Sequence, residues 1–330
     1  MKVPHIIGAD LSKKSIDFAS HPFRSHLKVE NNSSGFRDLI KWLNRQNIDR
    51  SEVMMVMEHT GLYSYRLEQF LHQRHISFAK VSGLEIKRSM GLVRGKSDKV
   101  DARRIAQYGF EKAHRLESVQ PVDVRLERLQ MLQSTRDKLV KDRAGLITRV
   151  KEYQQAYDLK KSDIIIKSQL RVIKFLTEEI KKLNDAMKAI VEAEKTVSDN
   201  YHLLQSVKGV GEVLAMTAII KTRNFTRFTK ARKFSCYCGT APFENTSGTS
   251  LKGKTRVSHL ADKRMKTLLD MAAKSAIQYD KELKEYYLKR TQNGKSKMST
   301  INVVRNKLLF RMFAVIKRQT PFVENYLYAA

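Results

Sequence analysis

Asp98 and Asp101 stand three residues apart in the stretch Ser-Asp-Lys-Val-Asp-Ala-Arg-Arg-Ile-Ala (97–106), within a chain that has 63 Lys and Arg against 34 Asp and Glu. On a helix this spacing puts both carboxylates on one face, about 5 to 6 Å apart at Cβ. Like charges held that close weaken a helix unless a cation sits between them. Two readings follow: an Asp helix cap with a surface Asp one turn on, or half of a cation site. The second requires further carboxylates at the same point. Asp10 and Glu58 qualify, because each ends a short apolar run (3–10 and 53–58). Four acids brought together would repel strongly without a counter-ion, and divalent metal is the usual one. Two Mg²⁺ ions about 3.5 to 4 Å apart can activate an attacking oxygen and stabilise a leaving one. Arg103 and Arg104, next in the chain, read either as phosphate clamps or as helix-surface charges.

The elements that must position these acids follow from the pattern. Residues 3–10, 15–20 and 26–30 read as short strands, with Pro4 tolerated only near the start of the first. A helix over 34–46 carries Phe36, Leu39, Ile40 and Leu43 on one face. Val-Met-Met-Val-Met-Glu (53–58) is a continuous apolar run, as expected of a strand covered on both faces. Thr60-Gly61 turns into a helix over 62–72, and a strand spans 76–81. This order predicts an α/β domain, in which sites form at strand ends where side chains leave the core together.

The net charge of +29 implies a polyanionic partner. The balance is 21 basic to 13 acidic residues over 1–120, 17 to 12 over 121–196 and 25 to 9 over 197–330, so the last third should make the strongest phosphate contacts. No apolar run reaches the length of a membrane span, and the first ten residues lack a signal-peptide core, so a cytosolic protein is expected. Cys236 and Cys238 have no matching Cys/His pair at metal spacing and read as core thiols of a reducing compartment.

After Pro121 the pattern turns helical. Leu126, Leu129, Leu132, Leu139, Leu146, Val150 and Tyr153 follow helical spacing, as do Ile166, Leu170, Ile173, Leu176, Ile180, Leu183, Met187 and Ile190, which step by threes and fours like a coiled coil. Residues 158–163 break the two halves. Such an arm is either an intramolecular hairpin or a contact between protomers. From Asp199 a third unit begins. Its Lys208-Gly209-Val210-Gly211 turn resembles a helix-hairpin-helix element, whose glycines let backbone N–H groups approach a phosphate; a plain glycine-rich helix junction is the alternative. A short helix over 230–239 is broken at Ala241-Pro242. Asn-Thr-Ser-Gly-Thr-Ser-Leu-Lys-Gly-Lys-Thr-Arg (245–256) then reads as a flexible polar loop whose Lys252, Lys254 and Arg256 suit phosphate. Helices over 259–279 and 300–317 follow. His259, Lys263 and Arg264 open the first of them, facing either phosphate or solvent. Gly294-Lys295-Ser296 lacks the first glycine of a P-loop and is not one.

Ile-Gly-Ala-Asp-Leu-Ser-Lys (7–13), Met-Glu-His-Thr-Gly-Leu-Tyr (57–63) and Lys-Ser-Asp-Lys-Val-Asp-Ala-Arg (96–103) resemble the three motifs of the DEDD transposases, the Piv-invertase-like group of insertion-sequence recombinases (the IS-one-ten family). The resemblance places that family's carboxylates on Asp10, Glu58, Asp98 and Asp101, with Ala9 and His59 as small departures. It implies an α/β RNase H-like (RuvC-like) domain over 1–120, a helical coiled-coil arm over 121–196 and a mainly α transposase domain over 197–330. It further implies Mg²⁺ as cofactor and a nucleophilic serine that maps onto Ser247, with Thr249 and Ser250 close enough to compete for the role. Double-stranded DNA, a guide (bridge) RNA and a homo-oligomer, dimer or tetramer, are the partners it implies, in a bacterial or archaeal cytoplasm near the nucleoid. Two rivals stand beside this reading: a RuvC-like junction nuclease that hydrolyses without a covalent intermediate, and a basic coiled-coil scaffold for nucleic acid whose acids only cap helices.

Overall fold

The computed structural model describes residues 5–21, 25–59, 61–91, 95, 97–247 and 251–324. They form two compact units, Met1–Pro121 and Val122–Ala330.

In the first unit, β1 (His5–Leu11), β2 (Ser15–His21) and β3 (His26–Glu30) are followed by α1 (Ser33–Arg45), β4 (Val53–Glu58), α2 (Tyr65–Gln73), β5 (Ser77–Val81), α3 (Gly83–Ser89) and α4 (Asp98–Glu111). The strands make one five-stranded sheet in the order β3-β2-β1-β4-β5. β1 to β3 pair antiparallel, while β4 and β5 join parallel to β1. The parallel joins need helical crossovers, which α1 and α2 supply.

Strand alternation sorts the side chains between two faces. Ile7, Ala9, Leu11, Met55 and Met57 pack with Phe36, Leu39, Leu43, Leu67 and Leu71 beneath α1 and α2. Ile6 and Val56 point the other way, joining Ile86, Ile105 and Tyr108 of α3 and α4. Gly8, Asp10 and Glu58 share that second face by the same period of two. A Cβ at Gly8 would overlap the Ala102 carbonyl and the Ala106 backbone, and one at Gly109 would press on Ile6 and Val56. Helix α4 therefore lies directly on β1 and runs against its direction. Its N-terminus arrives where β1 ends.

In the second unit, α5 (Val124–Tyr157) and α6 (Ile164–Glu192) are followed by α7 (Lys195–Gln205), α8 (Glu212–Thr222), α9 (Ala231–Tyr237), β6 (Pro242–Ser247), β7 (Leu251–Val257), α10 (Lys263–Tyr279), α11 (Lys281–Gln292) and α12 (Lys297–Arg318). α5 and α6 pack on each other, with the Arg136 guanidinium donating to Asn184 Oδ1 at 2.9 Å and that of Arg143 to Thr177 Oγ1 at 3.2 Å. Partner numbers that fall on one helix as they rise on the other mean antiparallel helices, so the arm is a hairpin within one chain. Its near ends join the core of the unit through Leu126, Leu129, Leu132, Met187 and Val191, beside Leu204, Ala215, Leu269 and Leu308.

Two expectations need correction. The polar stretch 245–256, read as a loop, contributes to a two-stranded antiparallel hairpin. The helix expected from 259 starts at Lys263, because the Asp262 carboxylate accepts from Met265 N and caps it. α3 and α11 are additions to the expected helices: α3 has only seven residues, and α11 turns Leu283, Tyr286 and Tyr287 to the core from an otherwise charged and polar segment.

The contact of α4 with β1 leaves no room for a Cβ at Gly8. Gly8→Ala is expected to destabilise the protein by about 1 to 3 kcal/mol, the usual cost of overpacking a core. Thermal or urea melting of the variant beside the parent chain measures it.

Candidate functional site

Ser97 caps α4: its Oγ accepts from Val100 N at 3.3 Å, and its carbonyl from Asp101 N at 2.9 Å. Asp98 is thus the first helical residue rather than the cap, and both acids sit in the first turn, where the helix dipole favours negative charge. Seated by Gly8, this turn overhangs the end of β1 and brings its acids toward Asp10.

The Asp10 carboxyl records the result. Burial, and then the negative charges of Asp101, Asp98, Asp17 and Glu58 in falling order, push its pKa up from 3.8 to about 6. The four acids picked out of the sequence therefore act on one point, together with a fifth. Asp17 lies directly across from Asp10 in the β1–β2 ladder and is buried. It was missed because a lone Asp inside an apolar strand has no spacing to mark it. Only the antiparallel register brings it beside Asp10.

Hydrogen-bond donors and cations hold part of this charge. His26 Nε2 donates to Asp17 Oδ1 at 2.7 Å, and Lys28 Nζ lies 3.4 Å from Asp17 Oδ2 and 3.6 Å from Asp98 Oδ2. Arg104 donates to Asp101 Oδ1 at 2.8 Å and to the Gly95 carbonyl at 2.9 Å, so one role open to it in the sequence, a helix charge paired with Asp101, is the one its contacts describe. Arg103 is exposed. Asn31 ties the two loops beside the site, donating from Nδ2 to the carbonyls of Ser12 and Tyr63 at 3.0 and 2.9 Å. The Glu58 carboxylate lies against Gly83, where any Cβ would overlap it.

The donor chemistry fits a hard divalent cation: carboxylates only, with their own repulsion visible in Asp10. Among the described residues, however, no three Asp, Glu, His or Cys side chains are arranged to hold a metal ion. The ion pairs of Asp98 with Lys28 and of Asp101 with Arg104 supply a reason, since each draws a carboxylate toward a cation of the protein.

In the second unit, Ser247 pairs with Leu251 at the end of β6. The side chains of Ser247, Lys252 and Lys254 lie outside the described structure, as do Thr249 and Ser250 altogether. Arg256 is exposed on β7, opposite Phe243. The glycine turn joins α7 to α8. Gly209 has φ +92°, and a Cβ there would meet the Ala272 carbonyl and Ala276, so its lack of a side chain serves packing on α10. Gly211 is the N-cap residue of α8, with open space where a Cβ would be. Lys208 is paired with Glu324. His259 and Lys263 are exposed, while Arg264 donates to Asp137 at 2.7 Å.

Asp10 gives the site a pH signature. Between 3.8 and about 6 the folded chain keeps a proton that the unfolded chain has released, so this group lowers stability as pH rises through that window. The metal-free protein should show a melting temperature that falls across the window relative to Asp10→Asn, and the variant should melt higher at pH 7. Calorimetry of the two proteins over a pH series checks both.

Two family models match the chain: one described as "Transposase", a DEDD transposase model, over residues 7–157, and one described as "Transposase IS116/IS110/IS902 family" over residues 201–288. The pilin gene-inverting protein of Moraxella bovis is 25% identical over 330 residues, covering 96% of this chain and 97% of its own. The corresponding protein of Moraxella lacunata matches to the same extent. The transposase for insertion sequence element IS1111A of Coxiella burnetii is 24% identical over 253 residues, covering 69% of this chain and 68% of its own. The first match contains all four sequence-picked acids and the second contains Ser247. The chain belongs to the IS110 family of DEDD transposases and recombinases, DNA-processing enzymes of insertion sequences.

Proposed function

We propose that this protein is a Mg²⁺-dependent DNA strand-exchange enzyme working through a covalent phosphoserine intermediate on Ser247. The observation that carries the metal half is the convergence of Asp10, Glu58, Asp98 and Asp101 on one end of one sheet face, registered by the raised Asp10 pKa. The strand order β3-β2-β1-β4-β5, with its first three strands antiparallel, supports a RuvC-like reading of the domain. These four acids would hold Mg²⁺, and the bound ions would supply charge stabilisation to attacking and leaving oxygens at a phosphate. Lys28 and Arg104, paired with Asp98 and Asp101, would turn toward phosphate oxygens once those acids take up the metal.

In the serine half, Ser247 Oγ attacks a DNA phosphorus, the new P–O bond replaces the bond to a sugar oxygen, and the hydroxyl proton passes to the departing oxygen or to water. A second sugar hydroxyl then attacks the phosphoserine and reverses the exchange. Each step trades one phosphoester for another, so no nucleotide is consumed. The relatives named for a transposase and for a gene inverter are accommodated alike, because inversion and transposition differ in which ends are joined and share this exchange.

The large positive charge, concentrated in residues 197–330, supports a nucleic-acid partner along much of the chain. A bridge RNA would read target and donor DNA by base pairing, leaving the protein to grip backbone through groups such as Arg103, Arg256, Lys208, Lys252 and Lys254. Ser247 and the four acids belong to different units of the chain. Nothing in the covalent connection obliges them to meet within one protomer, and the reading includes a homo-oligomer whose site is shared between subunits.

Incubating the protein with end-labelled DNA, its RNA and Mg²⁺, followed by denaturation, should yield a covalent protein–DNA adduct. Ser247→Ala should abolish it; an adduct that persists in this variant would overturn the serine assignment. Cleavage with no adduct in the parent would favour the nuclease. Mixed oligomers of Ser247→Ala and Asp101→Ala subunits should recover part of the activity, and none in oligomers shown to be mixed would exclude a shared site. Gly83→Ala should fold normally, since Gly83 opens α3 and alanine favours a helix, yet lose strand exchange by tenfold or more through displacement of Glu58.

A further inference from the structure

The β6–β7 hairpin that ends at Ser247 leaves the body of the second unit at Thr240 and Ala241, both fully buried. Two asparagines one turn apart on α12 grip this root. Asn302 and Asn306 each donate from Nδ2 to the Thr240 carbonyl, at 2.9 and 2.8 Å, so both of its lone pairs are used. The Thr240 hydroxyl donates back to Asn306 Oδ1 at 3.0 Å, which fixes the amide in one orientation. Thr240 N donates to the Ser235 carbonyl at 3.0 Å, completing the set. Arg305, buried between the two asparagines, reaches Asp270 of α10.

The returning strand is anchored as well. The Tyr237 hydroxyl donates to Asp262 Oδ2 at 3.0 Å, and Lys221 Nζ lies 2.9 Å from the same oxygen. Asp262 N also donates to the Tyr237 carbonyl at 2.9 Å.

We infer that Asn302 and Asn306 are positioning residues that aim the serine hairpin. The inference rests on the serine reading above. Its physical basis is leverage. From root to Ser247 the strand spans about 20 Å, so a tilt of about 10° at Thr240 moves the tip by roughly 3.5 Å. A displacement of about 1 Å at a reacting group already costs on the order of 100-fold in rate. An isolated two-stranded hairpin is only marginally stable and cannot hold its own direction. A carbonyl held by two side-chain donors, with a reciprocal hydroxyl bond, resists that tilt. Neither asparagine helps α12 to form or to bury its apolar face, which Ile301, Val304, Leu308 and Met312 accomplish.

The test uses the full chain with Asn306→Leu and Asn302→Leu, read in two ways. Hydrogen exchange on the free protein should quicken tenfold or more across residues 242–257 while α10 and α12 keep their protection. With DNA, RNA and Mg²⁺, the rate of adduct formation at saturating nucleic acid should fall 30-fold or more, with the Kd for nucleic acid within twofold of the parent. Unchanged hairpin exchange, or a loosened hairpin with an unchanged rate, overturns the inference. If both leucine variants lose protection throughout the unit, Thr240→Val decides: it removes only the hydroxyl contacts, to Asn306 Oδ1 and to the Ser235 carbonyl, and should loosen the hairpin severalfold with the core intact, and a hairpin as protected as the parent's overturns the inference. Failure of the serine reading looks different, because Ser247→Ala would then form adduct at the parental rate while the exchange result stood unaffected.

Discussion

The first unit depends on the absence of one side chain. At Gly8 the backbone of β1 meets that of α4 at Ala102 and Ala106, closer than any Cβ would allow. Ala102, Ala106 and Gly109 continue this small-residue seam along the helix, so α4 can lie along β1 and β4 with little freedom to slide. Everything chemical in the unit follows from that seating. The first turn of α4, with Asp98 and Asp101, is carried to the end of β1, and the alternation of β1 and β4 puts Asp10 and Glu58 on the same face. A helix shifted by one turn, about 5.4 Å, would leave the acids as ordinary surface charges.

Seating the acids together creates an electrostatic cost that the fold meets only partly. Asp10 takes the largest share, being partly buried and within the fields of four other carboxylates, and its pKa rises accordingly. Lys28 between Asp17 and Asp98, and Arg104 on Asp101, offset the remainder at the rim. Such a site is destabilising in isolation, and only positive charge, as a divalent cation would bring, can offset its repulsion. This is the pattern of a functional site, where structure is held against its own repulsion by packing elsewhere.

The second unit solves a different problem, the projection of a thin polar hairpin from a helical body. Its core is continuous from the base of α5 and α6 through α8, α10 and α12. Among the described residues, none of the hairpin belongs to that core. Its direction is set by polar contacts at its two roots, Thr240 with α12 and Asp262 with Tyr237 and Lys221. Gly209 belongs to the same economy: the glycine of a turn that suggested phosphate contact is required by the approach of α10.

Sequence alone determined the features that are local. The apolar runs ending in Asp10 and Glu58 mark strands, the second with the limits of β4 and the first overlapping β1, which runs on to Leu11, and the three-residue spacing of Asp98 and Asp101 puts both in one helical turn. The break at 158–163 separates α5 from α6, and the net charge points to nucleic acid. Periodicity and spacing are properties of neighbouring residues, so they survive without tertiary context. The rest needed the fold. Asp17 and Lys28 join the acids only through strand register, which pairs residues distant in sequence. Gly83 matters only because Glu58 lies against it. Residues 242–247 and 251–257 have no apolar alternation to announce a hairpin; they are strands because they pair with each other and are clamped at their roots. Whether the arm pairs within the chain was equally undecided, because heptad spacing is the same for a hairpin and for two subunits. The bonds from Arg136 to Asn184 and from Arg143 to Thr177 decide it.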